Sequence, residues 1–348
     1  MPRLKRRRPE GGTRLARCRF ALSASTRQLS SDGLLRLGRL LLARGYQFTT
    51  PTPATHQLVN SREGNQQARS VGDVFGWSRP FESKVLPEEV FAAARDAGAC
   101  EALKDTRLWR PLVRFSSLNG LLFAHSAFPT TDQNAVFFGP DSYRFVRAIE
   151  RHAVSAQRIV DVGCGSGVAG IALAKRSIGT APVVLADIND DALLLAGVNA
   201  QLASVEAEIV NSDVMRNVSG QFDLVIANPP YLLDDAQRVY RDGGGAYGER
   251  LALRIVREAI ERLNTMPRGG RLLLYTGVAI VDGRDTFLSR VRPELTRADV
   301  DFDYEELDPD VFSEELERPQ YAHVERIAAV LLRVQVAGSA QCTGPFRT

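Results

Sequence analysis

Ile159-Val160-Asp161-Val162-Gly163-Cys164-Gly165-Ser166-Gly167 passes from a short β-branched strand into a glycine turn, and helical spacing of apolar residues resumes at Val168. A strand that empties into a helix through glycines opens a βαβ unit: the backbone must turn sharply and let a ligand approach without meeting a Cβ. The spacing restricts the ligand. The nicotinamide fingerprint G-x-G-x-x-G fails by one residue, since Val168 stands three after Gly165, and no Gly-Lys-Ser/Thr follows to make a P-loop. Asp161, inside the strand, is placed to support the loop.

Apolar strands alternate with amphipathic helices on either side of this motif. Strands are read at Arg158–Val162, Pro182–Ile188, Ala207–Val210, Phe222–Ala227 and Arg271–Thr276, and helices at Val168–Arg176, Asp190–Ala203 and Glu249–Leu263. That order implies a parallel sheet covered on both faces. Two later strands, near Asp301–Leu307 and His323–Val334, have no helix between them and are expected as an antiparallel pair at one edge. Asp141 is read as the cap of a helix running to about Val154.

The strand ends carry the chemistry. Asp187 closes the second strand, where a carboxylate can accept both ribose hydroxyls of an adenosine cofactor. Asp190 serves as the cap of the next helix, which leaves Asp187 for the ribose. Asp213, in Asn211-Ser212-Asp213 after the third strand, faces the place of the adenine amino group; a turn residue is the alternative. The fourth strand ends in Asn228-Pro229-Pro230-Tyr231. Two prolines fix the backbone and remove N–H donors, leaving carbonyls in need of partners. The Asn228 oxygen and the Pro229 carbonyl then make two acceptors matched to the two hydrogens of a planar amino group. Holding both hydrogens localises a delocalised nitrogen lone pair and aims it at an electrophilic methyl. An ordinary proline turn is the bland alternative, and the position beside the glycine loop and Asp187 argues against it.

Composition bounds the rest. The 348 residues have 44% apolar and 24% charged content, enough to bury a core in two domains. No run approaches a membrane span, and four dispersed cysteines without CxxC spacing point to a reducing, cytoplasmic setting. Four histidines without an HExxH pair give no reason to expect a metal centre. Residues 1–44 hold 12 Lys/Arg against Glu10 and Asp32, a charge of +10, so the remainder carries −7 within a total of +3. The basic arm is read as a solvated leader, with phosphate binding as its functional alternative. Beyond it, Asp32–Arg44 reads as a helix ending at Gly45, Thr49–Pro53 as extended chain, Val71–Phe75 and Pro87–Ala97 as short helices, and Arg110–Phe115 with Asn119–Ser126 as a hairpin.

In this order, Asp161-Val162-Gly163-Cys164-Gly165-Ser166-Gly167, Asp187, Asp213 and Asn228-Pro229-Pro230-Tyr231 resemble a class I S-adenosylmethionine-dependent methyltransferase of the NPPY branch. The resemblance spans about residues 136–337 and is nearest to protein-glutamine methyltransferases that modify release factors and ribosomal proteins. It implies an α/β fold: a seven-stranded, mostly parallel Rossmann-like sheet with an antiparallel last strand, preceded by an α+β accessory domain. The chain is accordingly divided into an arm (1–27), an accessory substrate-recognition domain (28–135), a methyltransferase domain (136–337) and a tail (338–348). The implied cofactor is S-adenosyl-L-methionine, held by Asp161, Gly163, Gly165, Gly167, Asp187, Asp213 and Asn228. Asn228, Pro229 and Tyr231 are the implied catalytic residues, and with Pro230 they receive the acceptor. The acceptor implied first is a glutamine on a translation-related protein. An RNA or DNA base is the alternative, and a non-catalytic cofactor-binding scaffold is the alternative of another class. Only four lysines and an acidic body weigh against a nucleic-acid groove. The loop Phe137–Ser142 stands where these enzymes carry a cofactor-touching Arg-Pro-Glu-Thr, without the arginine.

Gly243-Gly244-Gly245 is expected to form a mobile lid. Cys164 is read as a small packing residue, and His125 and His323 as buried, hydrogen-bonded histidines.

Overall fold

A computed structural model describes residues 29–152, 156–176 and 181–339; the basic arm and residues 340–348 lie outside the described residues. The N-terminal region runs α1 (Ser31–Ala43), α2 (Pro53–Asn60), α3 (Val71–Phe75), β1 (Phe81–Glu82), α4 (Glu88–Asp96), β2 (Cys100–Ala102), β3 (Leu108–Pro111), β4 (Val113–Leu118) and β5 (Leu121–Ser126). Helix α1 starts where the Ser30 hydroxyl accepts from Gly33 N–H at 3.2 Å, and its buried face repeats at Leu34, Leu37 and Leu41. Thr49 to Thr52 is irregular, but Pro53 does not belong to that stretch: it opens α2, because proline at a first helical position loses no hydrogen bond and Thr52 caps. Strands β4 and β5 form a hairpin where one is expected, but its first strand is Val113–Leu118, since Arg110 and Pro111 end β3, and β1, β3 and β2 form a separate three-stranded sheet.

The second region runs α5 (Pro140–His152), β6 (Ile159–Val162), α6 (Val168–Arg176), β7 (Val183–Asp187), α7 (Asp190–Ala203), β8 (Ala207–Asn211), β9 (Leu224–Ala227), α8 (Arg250–Asn264), β10 (Gly270–Val281), β11 (Arg284–Asp285), α9 (Thr286–Arg297), β12 (Asp301–Asp308) and β13 (Arg326–Val336). The main sheet has the order β12-β13-β10-β9-β6-β7-β8, with β11 paired to β10. From β10 to β8 all neighbours are parallel, while β13 runs antiparallel to both β10 and β12. This is the mostly parallel sheet with an antiparallel last strand. Strand β10 is twice its expected length, because β13 pairs with it from Gly270 to Ile280. Helix α9 escapes a periodicity reading, since Pro293 interrupts a pattern otherwise fixed by the Asp285 cap and by Phe287, Val291 and Leu295.

Two apolar layers sandwich the sheet, and α7 belongs to more than one core. Leu193, Ala196, Ala200 and Ala203 face the sheet, whereas Ala192, Leu195 and Val198 pack with α1, α4 and the β4–β5 hairpin. A helix apolar all round is buried all round. The N-terminal region is thereby docked on the methyltransferase-like sheet through α7. Asn199, fully buried in α7, accepts from Ala124 N–H at 2.7 Å and donates to the carbonyls of Ala124 and Ser166 at 3.0 and 2.9 Å. One amide thus ties β5 to the glycine loop.

Candidate active site

Strand register alone places the site. Val162 is level with Ala227 on one side and Ala186 on the other, so Gly163, Asp187 and Asn228 leave the sheet side by side. The chain winds outward in both directions from β6, to β7 on one side and β9 on the other, which is the switch point where open α/β sheets bind ligands. A cavity of about 200 Å3 lies there. Asp161, Gly163, Gly165, Asp187, Asp213, Asn228, Pro229, Pro230 and Tyr231 all line it; Gly167 does not.

The glycine loop is built for close approach. Gly163 and Gly165 hold φ of +66° and +53°, and a Cβ on either would meet nothing within 4 Å, so both present bare backbone to the cavity. Gly167 packs instead: its Cβ would crowd Ile171, Leu185 and Ala196 at 3.0–3.2 Å, which brings α6 and α7 onto the sheet. Asp161 accepts from Gly170 N–H at 2.9 Å, anchoring the first turn of α6 to β6. Burial, eased by that bond and reinforced by the charge of Asp187, pushes its carboxyl up to about 7. Asp187 accepts from Gly165 N–H at 2.8 Å and Asn189 N–H at 2.9 Å, while burial raises its pKa. About two of its four lone-pair positions remain for a vicinal diol. The residues fit an adenosine cofactor: a cradle open to the ligand and a carboxylate with acceptor capacity to spare.

One neighbouring expectation, the cap of α7, needs correction. Asn189, not Asp190, caps α7, accepting from Asp191 N–H at 3.0 Å; Asp190 instead accepts from the Asn211 amide at 2.7 Å. Asp213 does line the cavity, but its carboxylate is engaged by both terminal nitrogens of Arg254 at 2.7 and 2.9 Å, which lowers its pKa. A bidentate guanidinium uses one lone pair on each oxygen and leaves one on each as an acceptor.

At the end of β9, Asn228 makes no side-chain hydrogen bond among the described residues, and Pro229 is buried behind it. Tyr231 is held from three sides. Its hydroxyl donates to Asp141, its ring lies 5.9 Å from Phe312, and it rests on Gly277 of β10, where a Cβ would collide with the ring. Asp141 is therefore no helix cap. It is a buried carboxylate that also accepts from the Tyr275 hydroxyl at 3.0 Å and from Arg144 at 3.0 Å, with its pKa raised by burial against those donors. The sequence signal was present, since an acid follows Gly139-Pro140 where the related loop has one, but the capping role absorbed it. Phe137 and Tyr240, stacked at 6.1 Å with planes 6° apart, form another wall of the cavity.

The glycine run is no free lid. Gly243 N–H donates to the Leu232 carbonyl at 2.9 Å, Leu232 N–H donates to Arg241 at 3.2 Å, and a Cβ on Gly243 or Gly248 would strike the backbone of Pro230 or Tyr231. The segment is a strap moulded onto the tetrapeptide. His125 is buried as expected, but His323 is exposed. Cys164 is buried in the core.

The sequence of residues 141–276 matches the family described as the methyltransferase small domain. Among curated relatives, a ribosomal protein L11 methyltransferase of Thermotoga neapolitana is 30% identical over 156 residues, covering 43% of this chain and 53% of its own. A release factor glutamine methyltransferase of Lactococcus lactis is 27% identical over 155 residues, covering 42% of this chain and 57% of its own. A ribosomal RNA small subunit methyltransferase C of Pasteurella multocida is 45% identical over 76 residues, 21% of this chain and 22% of its own. The chain thus spans about half the length, or less, of the relatives it matches. With a parallel sheet, a switch-point cavity and a glycine loop open to a ligand already in place, the match of residues 141–276 to the methyltransferase small domain is consistent with a class I S-adenosylmethionine-dependent methyltransferase.

Proposed function

We propose that this protein is an S-adenosylmethionine-dependent N-methyltransferase whose acceptor is a planar amide or amino nitrogen, and that the acceptor is a glutamine side chain of a translation-related protein. The observation that carries the proposal is Asn228: a polar side chain without a hydrogen-bond partner among the described residues, on a proline-stiffened corner, in the same cavity as Gly163, Gly165 and Asp187.

When bound, S-adenosylmethionine supplies a sulfonium methyl. Asp187 and the open faces of Gly163 and Gly165 hold the adenosine. Asn228 Oδ1 and the Pro229 carbonyl accept the two hydrogens of the acceptor NH2 and withdraw its lone pair from conjugation. As the nitrogen forms its bond to carbon and becomes acidic, one of those hydrogens leaves as a proton, so no strong base is required at the outset. Tyr231, fixed by Asp141, gives the acceptor a flat wall.

Protein glutamine is favoured over a nucleic-acid base by the release-factor relative, similar over 155 residues, and by the acidic body outside the arm. Radiolabelled cofactor and cell extract, followed by protease or nuclease, test this reading. Label released by protease and absent with Asn228→Ala is the expected result. Label released by nuclease alone overturns the choice of acceptor, and undiminished transfer by Asn228→Ala overturns the mechanism.

A further inference from the structure

Arg79 and Arg114 are buried, 7% and 4% exposed, and only the first is compensated. Arg79 meets the Asp73 carboxylate and the Asn60 side-chain oxygen. Arg114, on β4, has Nε and Nη2 buried with no hydrogen-bond partner, and no carboxylate among the described residues pairs with it. The ring of Phe48 lies 5.6 Å from its guanidinium carbon and supplies a cation–π contact, which does not satisfy in-plane N–H donors. A buried cation left in this state is costly unless something negative joins it.

A second orphan faces the same small cavity. His56 Nε2 is buried and unpartnered. Asn60 accepts from Arg79 Nε through Oδ1 at 2.9 Å, so its Nδ2 is a donor, to the Trp77 carbonyl at 2.9 Å and to His56 Nδ1 at 3.4 Å. His56 Nδ1 faces that amide, the backbone of Gly76 and Trp77 also borders the ring, and Nε2 is the nitrogen left toward the cavity. Burial and the charges of Arg114 and Arg79 hold its pKa down at about 4, so the ring stays neutral near pH 7. The remaining polar groups nearby are satisfied among themselves. Thr50 and Ser116 share a hydroxyl contact, Ser116 Oγ meets His125 Nε2 at 2.7 Å, and His125 Nδ1 reaches the Ser126 carbonyl at 3.1 Å. What is left over at the cavity is the Arg114 Nε and Nη2 donors beside the unpartnered His56 Nε2.

We propose that Arg114 and His56 form an anion-binding site that accepts an oxygen of a carboxylate or phosphoryl group. The cavity they line measures about 20 Å3, above the ~10–15 Å3 that a single oxygen-sized occupant needs. Its rim residues Pro51, Phe128 and Thr130 are partly exposed, which gives the anion a route in. Phe137 lines both this cavity and the larger one, so the site adjoins the wall of the methyl-transfer cavity. Its existence does not depend on which acceptor is methylated.

Thermal unfolding of the full chain at constant ionic strength tests the site, with potassium acetate or potassium phosphate titrated against potassium chloride. The expected result is a saturable rise in midpoint with one or both oxyanions above the chloride control. Acetate alone assigns a carboxylate, and phosphate alone a phosphoryl group. Arg114→Met is expected to abolish the rise while matching or exceeding the wild-type midpoint without oxyanion, because it removes an uncompensated charge. His56→Phe keeps the cation and is expected to weaken the apparent affinity about tenfold, which supplies the answer should Arg114→Met fail to fold. A wild-type midpoint indifferent to both oxyanions, or a rise that survives in both variants, overturns the proposal.

Discussion

Asn228 and Asp187 stand two strands apart on one sheet edge, at the ends of β9 and β7, and their hydrogen bonding separates their mutational signatures. The Asn228 side chain is hydrogen-bonded to none of the described residues, so Asn228→Ala should leave the affinity for S-adenosylhomocysteine within about twofold while lowering turnover about 100-fold or more. Asp187 already carries two backbone N–H groups, and Asp187→Ala should weaken that affinity roughly 10- to 100-fold, the value of a lost charge-assisted pair of about 1.5–3 kcal/mol. Calorimetric titration beside initial rates distinguishes the two, and equal losses of affinity would mean that Asn228 retains the cofactor instead. Asp161 makes a prediction about pH. Its folded carboxyl lies at about 7 against about 3.9 in an unfolded chain, so between those values only the folded state holds the proton. Stability from this group is therefore present below pH 4 and is lost as pH rises through 7, at about 1.4 kcal/mol per pH unit for one proton. Asp161→Asn keeps an acceptor for Gly170 N–H and removes the titration. Urea midpoints of the variant should fall less steeply than wild type across that window, and parallel profiles would assign the proton elsewhere.

Elements position these side chains through contacts that local pattern does not contain. The tetrapeptide is rigid because β10 runs past the sheet edge and offers Gly277 as a floor for Tyr231, while Asp141 on α5 receives the hydroxyls of Tyr231 and Tyr275. Gly277→Ala should displace the ring, costing about 1–3 kcal/mol of stability by overpacking and lowering turnover at least tenfold, with cofactor affinity retained. Denaturant unfolding and rates measured on the same preparation check both parts; unchanged turnover would show that the placement of Tyr231 is immaterial. Helix α8 follows from its period, since it buries one face, and α6 and α7 follow from apolar runs too long for a strand and buried on more than one side. Helix α9 and the far half of β10 do not. Pro293 argues locally against a helix that Phe287, Val291 and Leu295 hold by burial, and residues past Thr276 are strand only because β13 lies alongside them.

At the scale of the molecule, the N-terminal region and the sheet share α7. Residues 136–339 expressed alone would expose Ala192, Leu195 and Val198, a face of the size that drives association, and should aggregate or fail to bind S-adenosylhomocysteine. A soluble, binding-competent fragment would refute that coupling. The two regions are legible in the sequence as a change of texture near residue 140, yet Asn199 reads there as one amide in an apolar helix, and its three hydrogen bonds to Ala124 and Ser166 join chain segments 33 and 75 residues distant. The amino-acid sequence by itself determined the parallel sheet, the glycine loop, Asp187 and the Asn-Pro-Pro-Tyr corner, because backbone sterics and strand order act locally and bring successive strand ends to one edge. Tertiary structure alone decided that Asp141 braces Tyr231, that Arg254 pairs with Asp213, that the glycine run is a fitted strap and that Arg114 is buried with no carboxylate partner among the described residues. Those depend on which polar groups meet across long stretches of chain, and desolvation of such groups is set by neighbours that no local pattern encodes.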